Sequence, residues 1–284
     1  MDSLEGYVSD DELAIPALNE LGWDVSTVSW RDDSVDWDDF EVTVIRTTWD
    51  YQRYPDEFIA VLADIEGSRS RLENSLQTVK WNLDKGYLQE LETNGLPTVP
   101  TLWDAEYRED QFHVWLDNLQ CDELIIKPTV SATAEHTYRL KEYDPKLQPV
   151  FNERPFMVQP FMPAIVNEGE YSLFYFDGEF SHAILKTPKA ADFRVQEEHG
   201  GIITSVSATP DLLQAGRLAV SQIDPNPLYA RVDLVRNSDS QWLIMELELI
   251  EPALYFRTDP GSPKRFADAM VRRVDKSKWQ SLKK

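Results

Sequence analysis

The chain has 284 residues, with 28 Lys and Arg against 50 Asp and Glu, and its formal net charge is −22. A protein this acidic is repelled by nucleic-acid phosphates and by anionic lipid, so we expect neither nucleic acid nor a membrane as its main partner. A hydrophobic content of 42 % predicts a packed core, and a single cysteine excludes an intrachain disulfide. With no bilayer-length apolar run and no basic leader, the sequence predicts a soluble, cytoplasmic protein.

The first third of the chain alternates between helical and strand-like patterns. The predicted elements are a helix at 10–21, strands at 23–30 and 40–46, and helices at 55–65 and 76–94. Gly22 and Gly95 follow the first and last of these helices and are typical helix stops. Because strands and helices alternate, we predict a parallel, doubly wound α/β domain, placed at residues 1–97.

Short strands dominate the remaining two thirds. The predicted elements are a helix at 110–119, strands at 123–128, 138–140, 156–159, 171–177, 179–186, 228–235 and 242–250, and a helix at 263–274 before a basic tail at 276–284. A loop of small and hydroxyl-bearing residues occupies 129–137. From Phe161 onward the strands have an antiparallel style. We therefore predict a central subdomain at 98–160 and an antiparallel-sheet C-terminal subdomain at 161–284.

Two strands near the C-terminus carry charged residues on one face. Alternation along 242–250 places Glu246 and Glu248 on a common face. In this prediction Ile244 and Ile250 share that face, and the other face holds Leu243, Met245, Leu247 and Leu249. A hairpin with its loop at 238–241 puts Asn237 opposite Trp242, Asp233 opposite Glu246, and Arg231 opposite Glu248.

The opposition of Asp233 and Glu246 is electrostatically unfavourable in an apolar sheet. Opposed residues on one face have Cβ atoms about 5 Å apart, and two carboxylates at that distance repel by roughly 3 kcal/mol at an effective dielectric constant near 20. A cation would compensate, and oxygen-only ligands indicate Mg²⁺ or Mn²⁺, which also bind substrate phosphates. The alternative is a solvated acidic face. The apolar flanks of the segment argue against that alternative.

Lysines provide a second indication of phosphate binding. Lys127 closes the apolar strand 124–128 and precedes the hydroxyl-rich loop, a position suited to a phosphate clamp. Lys85, in the helical segment 81–87, is a second candidate. A solvated surface lysine is the alternative for each one taken alone, but two lysines beside a carboxylate cluster favour a phosphate-bearing substrate.

Other common chemistries lack sequence support. The P-loop, dinucleotide-binding, zincin and nucleophile-elbow motifs are absent from the sequence. Cys121 is predicted to be a small apolar residue beside a strand. No metal-ligand spacing relates the histidines, which are His113, His136, His182 and His199.

The order of several short motifs resembles that of the ATP-grasp superfamily, and most of all its glutathione-synthetase-like and cycloserine-type cyclo-ligase members. The resemblance extends from about residue 5 to residue 269. The motifs are Val44-Ile-Arg-Thr-Thr-Trp-Asp-Tyr51, Trp81-Asn-Leu-Asp-Lys85, Ile126-Lys-Pro128, Val158-Gln-Pro-Phe161, Glu168-Gly-Glu170, Asp192-Phe-Arg-Val-Gln-Glu-Glu-His-Gly-Gly201, Ala230-Arg-Val-Asp233 and Met245-Glu-Leu-Glu-Leu-Ile-Glu-Pro252. Each is weak alone, but their order and separations together are a strong signal.

The resemblance implies a fold and a nucleotide site. The fold is an N-terminal substrate domain, a central lid and a C-terminal domain that grips Mg²⁺- or Mn²⁺-bound ATP between antiparallel sheets. The implied nucleotide ligands are Lys85 and Lys127 for the phosphates, Ser131 and Thr133 in the closing loop, Val158, Gln159 and Phe161 for adenine, and Glu170 for ribose, with Glu168 as its competitor. The implied metal ligands are Asp233, Glu246 and Glu248.

The resemblance also implies catalytic and substrate residues. Arg194 would clamp the transferred phosphoryl group and Arg231 the oxyanion, with assistance from Lys186; an ion pair with Glu248 is the structural alternative for Arg231, and an exposed loop position for Arg194. The implied substrate residues are Arg46, Thr47, Trp49, Asp50 and Tyr51 on one wall and His199 and Glu251 on the other. Trp49 and Tyr51 are equally compatible with a packing role.

The implied activity is an ATP-dependent carboxylate–amine ligase that forms an acylphosphate and then an amide, a peptide-type bond or an internal ring. Its partners are a small-molecule carboxylate and amine, and dimers or tetramers are usual in the family. An ATP-grasp phosphotransferase and a catalytically degenerate nucleotide-binding protein are the alternatives. Family members usually have a strand before the segment that matches residues 1–11, and this strand is missing here. Either the start of the chain is assigned late or another segment fills the slot, and because an open slot leaves neighbouring strands unpaired, we expect reduced stability or a compensating contact.

Overall fold

A computed structural model describes residues 1–103 and 106–274 of the chain. The predicted basic tail at 276–284 lies outside the described residues. The expected combination of an α/β N-terminal part with antiparallel sheets is confirmed. In the described parts of the chain, no helix combines the length and the apolar character that a bilayer crossing requires.

The N-terminal part combines helices with a small parallel sheet. Its elements are α1 (Ile15–Glu20), β1 (Val42–Val44), α2 (Pro55–Gly67), β2 (Arg71–Glu73), α3 (Leu76–Leu83) and α4 (Tyr87–Thr93), with short 3₁₀ turns at Asp11–Ala14, Trp37–Asp39 and Tyr51–Arg53. β1 and β2 pair in parallel from Val42↔Arg71 to Val44↔Glu73. Apolar side chains of α2 and α3, such as Phe58 and Val79, form the core beside this sheet.

Two predictions in this part are wrong. Residues 23–30 form no strand, because side chains hold this segment: the Trp30 ring packs edge-on against Phe58 at 5.3 Å, and its indole N–H donates to Asp50. The helix predicted at 76–94 is divided into α3 and α4. It breaks because the Lys85 amide donates to the Thr129 carbonyl oxygen (2.9 Å) instead of continuing the helix.

A small antiparallel sheet forms the central part. Its elements are α5 (Glu109–Leu119), β3 (Leu124–Pro128), β4 (Tyr138–Leu140), α6 (Gln148–Asn152) and β5 (Phe156–Pro160), in the strand order β4-β3-β5, with a 3₁₀ turn at Pro145–Leu147. Tyr107, Trp115 and Phe156 pack together on one face of the sheet. The loop at 129–137 follows β3, as predicted.

A larger antiparallel sheet follows, in the strand order β10-β9-β6-β7-β8. Its elements are α7 (Ala164–Asn167), β6 (Glu170–Phe176), β7 (Glu179–Thr187), β8 (Ile202–Val206), α8 (Pro210–Val220), β9 (Tyr229–Arg236), β10 (Trp242–Glu248) and α9 (Ser262–Val274), with 3₁₀ turns at Glu197–His199 and Phe256–Thr258. No sequence pattern predicted α6, α7, α8, β2 or β8.

The β9–β10 hairpin has the predicted pairing of Asp233 with Glu246, but its register near the turn differs from the prediction. Glu246 lies opposite Asp233 and Glu248 opposite Arg231, whereas Trp242 lies opposite Arg236 rather than Asn237. A β-bulge between Ile244 and Glu246 restores the register.

The bulge also changes which side chains share a face. Ile244 packs in the core with Leu234, Leu247 and Leu249, and Leu243 and Met245 turn to the opposite side. The predicted face assignment of Leu243, Ile244 and Met245 is therefore wrong, because one inserted residue reverses the alternation of its neighbours.

Candidate active site

A deep cleft lies between the two antiparallel sheets, and the loop at 129–137 and the N-terminal residues Trp49 and Tyr51 complete its walls. Most of the predicted site residues line it. They are Lys85, Lys127, Ser131, Thr133, Gln159, Glu170, Lys186, Arg194, Arg231, Asp233, Glu246, Glu248 and Glu251. Val158, Phe161, Arg46, Thr47, Asp50 and His199 are not among the lining residues.

Two buried lysines face the cleft from different elements. Lys127 is the fourth residue of β3, and burial lowers its pKa although Glu246 opposes this effect. Lys85 lies at the break between α3 and α4, where its ammonium group donates to the Ser131 carbonyl oxygen (2.8 Å) and approaches Glu246 (3.0 Å). The loop that carries Ser131 is thus tied to the lysine that would contact the same phosphate groups.

The residues predicted for the adenine and ribose occupy contrasting positions. Gln159 is buried at the cleft wall and donates to the Thr101 hydroxyl (2.9 Å), but Val158 lies in the core of the central sheet. The Phe161 ring packs against the Arg139 guanidinium at 3.5 Å. Between the two acidic candidates, only Glu170 lines the cleft, where it pairs with Lys186.

Glu168 faces a different environment from that of Glu170. Its carboxylate accepts a hydrogen bond from the Tyr171 hydroxyl (3.0 Å) and lies 3.3 Å from the Arg236 guanidinium. Glu170 is therefore the better placed of the two for a ligand in the cleft.

The acidic centre of the cleft is neutralised by basic side chains. Asp233 accepts hydrogen bonds from Ser172 (2.5 Å), Arg231 (2.9 Å) and Lys186 (3.1 Å). Burial opposes the ionisation of Asp233, but Arg231 and Lys186 outweigh it and hold the pKa of Asp233 below its ordinary value. Arg231 also pairs with Glu248, and this ion pair was the structural alternative predicted for the arginine.

A preformed three-carboxylate cluster, which the register suggested, is therefore absent among the described residues 1–103 and 106–274. Lys85 and Arg231 contact Glu246 and Glu248 respectively, and Asp233 has its own two cations. The physical reason is that lysines and an arginine surround the carboxylates and relieve their mutual repulsion.

Glu246 and Glu248 remain partly accessible although each has a cationic partner. Each side chain is about a quarter exposed to the cleft, at 26 % and 28 %. Burial and the neighbouring Asp233 and Glu246 raise the pKa of Glu248 to about 7, against the attraction of Arg231. Because this carboxylate is under-compensated and accessible, the donor set fits a hard divalent cation held by Glu246 and Glu248.

Arg194 and His199 both lie in the connection between β7 and β8. Arg194 forms an ion pair with Asp192 (2.9 Å), and its side chain is one-third exposed. The His199 imidazole contacts the Thr133 carbonyl oxygen at 3.2 Å, which joins the 197–199 turn to the loop at 129–137. His199 therefore links this connection to the loop at 129–137, whereas Arg194 is engaged with Asp192.

The N-terminal segment 46–51 docks on the chain that follows β10. Arg46 is held by Asp11 (3.0 Å) and donates to the Pro252 carbonyl oxygen (2.5 Å), so its guanidinium is engaged outside the cleft. The Trp49 indole donates to the Glu251 carbonyl oxygen (2.9 Å). Tyr51 is buried beside the Glu251 carboxylate, which lines the cleft.

Buried polar side chains that no sequence pattern indicated hold β10 against α3 and α4, the helices on either side of Lys85. Asn82 accepts from the Leu249 amide (3.0 Å) and donates to the Leu247 carbonyl oxygen (2.9 Å), on either side of Glu248. The Tyr87 hydroxyl bonds both backbone groups of Leu247 (2.9 and 3.0 Å). Since Lys85 lies between Asn82 and Tyr87, this clamp aligns it with Glu246. The available sequence signal is a polar residue on the buried face of α3.

Comparison with known proteins gives a consistent family. The family description "D-cycloserine synthetase DcsG, N-terminal domain" matches residues 1–74. The chain is 29 % identical over 280 residues to the cycloserine biosynthesis protein DcsG of Streptomyces lavendulae, covering 92 % of each chain. The crystal structure of D-cycloserine synthetase DcsG has a TM-score of 0.82 and 26 % identity, covering 93 % of this chain and 94 % of that one.

More distant structures share the fold alone. The ATP-grasp ligase PsnB, in complex with a precursor variant, Mg and ADP, has a TM-score of 0.66 at 14 % identity, covering 93 % of this chain and 94 % of PsnB. D-alanine–D-alanine ligase from Bacillus anthracis, in complex with ATP, has a TM-score of 0.59 at 16 % identity, covering 96 % of each chain. Together with the cleft between two antiparallel sheets, these likenesses show that the chain has the ATP-grasp fold.

Proposed function

We propose that this protein is an ADP-forming ligase that activates the carboxylate of a small amino acid with Mg²⁺-bound ATP and joins it to an amine. The observation that carries this proposal is the composition of one cleft. Lys85 and Lys127 lie with Glu246 and Glu248 in its centre, and Glu251 lies beside Trp49 and Tyr51 at the N-terminal wall. A phosphate-binding region and a polar substrate region are therefore continuous.

The reaction has two balanced steps. A carboxylate oxygen attacks the γ-phosphorus, the bond to the β-phosphate oxygen breaks, and ADP leaves an acylphosphate behind. An amine nitrogen then attacks the acyl carbon, the acyl–phosphate bond breaks, and inorganic phosphate and a proton are released. Both steps require fixed positive charge beside the transferred group and at the developing oxyanion.

The lysines supply that charge from rigid positions. Lys127 is buried at the end of a strand and Lys85 is held by Ser131 and Glu246, so both ammonium groups are oriented before a nucleotide binds. Divalent magnesium would be held by Glu246 and Glu248 and would neutralise phosphate charge. Asp233, whose oxygens already accept three side-chain donors, would join as a ligand if one partner moved away.

Arginine positions favour separate roles at the acyl group and the phosphoryl group. Arg231 bridges Asp233 and Glu248 at the cleft centre, where its fork-shaped group suits the oxyanion of the acyl step. Lys186, between Glu170 and Asp233, favours the ionised form of both carboxylates, although burial still raises the pKa of Glu170. Arg194 would release its ion pair with Asp192 and bind the γ-phosphoryl group instead.

Fewer residues of the cleft are proposed to bind the adenine and the ribose of ATP. Gln159 and Glu170 line the cleft and would contact the adenine wall and the ribose hydroxyl groups. Because the Phe161 ring faces Arg139, residue 161 would contribute through its backbone. Ser131 and Thr133 would close over the phosphates with their loop.

We further propose that the amine belongs to the same molecule as the carboxylate, so that the product is a ring. Support comes from the likeness to a cycloserine synthetase along nearly the whole chain, including residues 1–74. An intramolecular amine would need no second amine site and would benefit from a high effective concentration. We propose a cytoplasmic location, where ATP is supplied.

The test is ADP and phosphate release from ATP over a panel of amino acids and small acids, with mass spectrometry of the products. Ligation releases free phosphate and forms a product lighter than its substrates by one water. Phosphate that stays on the product would identify a phosphotransferase instead. No ADP with any acid, together with no ATP binding by calorimetry, would overturn both enzymatic functions.

A further inference from the structure

Glu251 is the buried cleft carboxylate that has no cationic partner among the described residues, whereas Glu198, which also lines the cleft, is exposed. Asp233 and Glu170 pair with Lys186, and Glu246 and Glu248 pair with Lys85 and Arg231. No ion pair within 4 Å involves Glu251 in residues 1–103 and 106–274. Its residue is 8 % exposed, yet it lines the cleft.

A backbone scaffold fixes the position of Glu251. The Trp49 indole donates to its carbonyl oxygen (2.9 Å), and Arg46 donates to the next carbonyl, that of Pro252 (2.5 Å). The Tyr229 hydroxyl lies within hydrogen-bond distance of the preceding carbonyl, that of Ile250 (2.7 Å). With three consecutive carbonyls held by side chains, the Glu251 carboxylate has a defined place in the wall.

The surroundings of Glu251 favour a small cationic group. A buried carboxylate without a cation is unfavourable, and burial together with the nearby Glu248 raises its pKa to about 8. The neighbouring polar group is the hydroxyl of Tyr51, a residue that is 5 % exposed, and the Trp49 ring lies on the same wall. A primary ammonium group matches this combination of charge, a hydroxyl and an aromatic wall.

We propose that Glu251, with Tyr51 beside it, binds the ammonium group of an amino-acid substrate and so selects amino acids over hydroxy acids. This inference rests on the proposed function, since it names the substrate group that this end of the cleft recognises. An ammonium held at Glu251 would direct the substrate carboxylate toward Arg231, which is close enough to affect the ionisation of Glu251. Trp49 then acts as a positioning residue that holds the Glu251 backbone.

The test compares amino acids with hydroxy acids of the same skeleton. The probes are the D and L forms of alanine and serine, with lactate and glycerate as their counterparts. Binding to the full-length protein is measured by calorimetry and by NMR in the presence of MgADP. We expect at least one amino acid to bind roughly 10- to 100-fold more tightly than its hydroxy acid, as loss of a charged hydrogen bond predicts.

Substitution identifies the group responsible. Glu251→Gln keeps the size of the side chain but removes its charge, so we expect amino-acid affinity to fall by the same factor and the preference over hydroxy acids to disappear. Glu198→Gln is the matched control, because Glu198 also lines the cleft but belongs to the 197–199 turn. This control is expected to retain the preference, and ATP affinity is expected to be unchanged in both variants.

Several results would overturn the inference. They are equal binding of amino acids and hydroxy acids by the natural protein, no binding of any of these acids, or an undiminished preference in Glu251→Gln. Circular dichroism and ATP calorimetry decide whether that variant is folded. If ATP binding and ADP release persist while the ammonium preference is absent, this inference alone fails. If ATP itself does not bind, the proposed function fails.

Discussion

The two ends of the cleft are constructed in different ways. At the phosphate end, charged side chains project from strands and pair with one another, as Lys186 does with Asp233 and Arg231 does with Glu248. At the N-terminal end, side chains from a loop hold backbone carbonyls, as Trp49 does at Glu251 and Arg46 does at Pro252. The first arrangement stabilises charge, and the second fixes the shape of a wall. Changes at the two ends should therefore have separable effects.

The largest expected effect is at the phosphate end. Glu246→Gln and Glu248→Gln should each lower turnover by roughly a thousandfold or more, because each removes a charge that would hold magnesium at the transferred phosphate. Steady-state ADP release across a Mg²⁺ titration measures the loss. The control is Glu179→Gln, an exposed residue of the same sheet. Natural rates in either cleft variant would show that these carboxylates are not the metal ligands.

The stability of the folded protein is expected to depend on pH through His182, which lies near the N-terminal end of the cleft. His182 donates from Nε2 to the Leu254 carbonyl oxygen (3.0 Å), near the Glu251 loop, and burial lowers its pKa to about 4. Because the folded pKa is below the ordinary value of 6.5, the unfolded chain binds a proton first as the pH falls. The stability from neutral His182 is therefore present above pH 6.5 and lost toward pH 4, by up to about 3 kcal/mol.

Denaturant unfolding of the natural protein and of His182→Gln between pH 7 and pH 4 measures this contribution. Glutamine retains an N–H donor but does not titrate, so the variant should lose less stability over this range. Asp259 and Arg265 also face His182 and have opposing effects on its pKa. Equal pH slopes in the two proteins would contradict the assignment.

A smaller effect is expected from the clamp on β10. Asn82→Ala leaves the Leu249 amide without its side-chain partner and the Leu247 carbonyl with only the Tyr87 hydroxyl, which should lower the free energy of unfolding by about 1–3 kcal/mol. Since the clamp aligns Lys85 with Glu246, the affinity for MgATP should fall while the ammonium preference persists. Calorimetry with MgATP and with the amino acids separates the two. A loss confined to amino-acid binding would reverse the roles of the two ends.

The smallest effect is expected at Tyr229. Its hydroxyl lies 2.6 Å from the Ile45 carbonyl oxygen and 2.7 Å from that of Ile250, so Tyr229→Phe removes a link between the N-terminal sheet and the Glu251 loop. We expect a loss of about 0.5–1.5 kcal/mol in unfolding free energy. The KM for the amino acid should rise more than that for ATP. A change in the KM for ATP alone would contradict the separation of the two ends.

The phosphate end of the cleft could largely be predicted from the sequence, whereas the N-terminal end could not. Strand alternation and a hairpin were enough to place Asp233 opposite Glu246, although the predicted turn was off by one residue and a bulge restored the register. Lys127 could be predicted as a site residue because it lies near the end of an apolar strand. By contrast, the Asn82 clamp and the position of the 46–51 segment depend on contacts between residues more than 150 positions apart, and no local pattern contains them.

The sequence by itself determined the antiparallel strands, the acidic and basic side chains on them and the fold that their order resembles, because a strand's faces follow from alternation along a few residues. Only the tertiary structure decided which cation neutralises which carboxylate and that Glu251 is left without one. It also decided that Arg46 supports a backbone carbonyl rather than lining the cleft. The physical reason is that these outcomes depend on where distant segments meet, and burial there converts an ordinary charge into one that needs a partner.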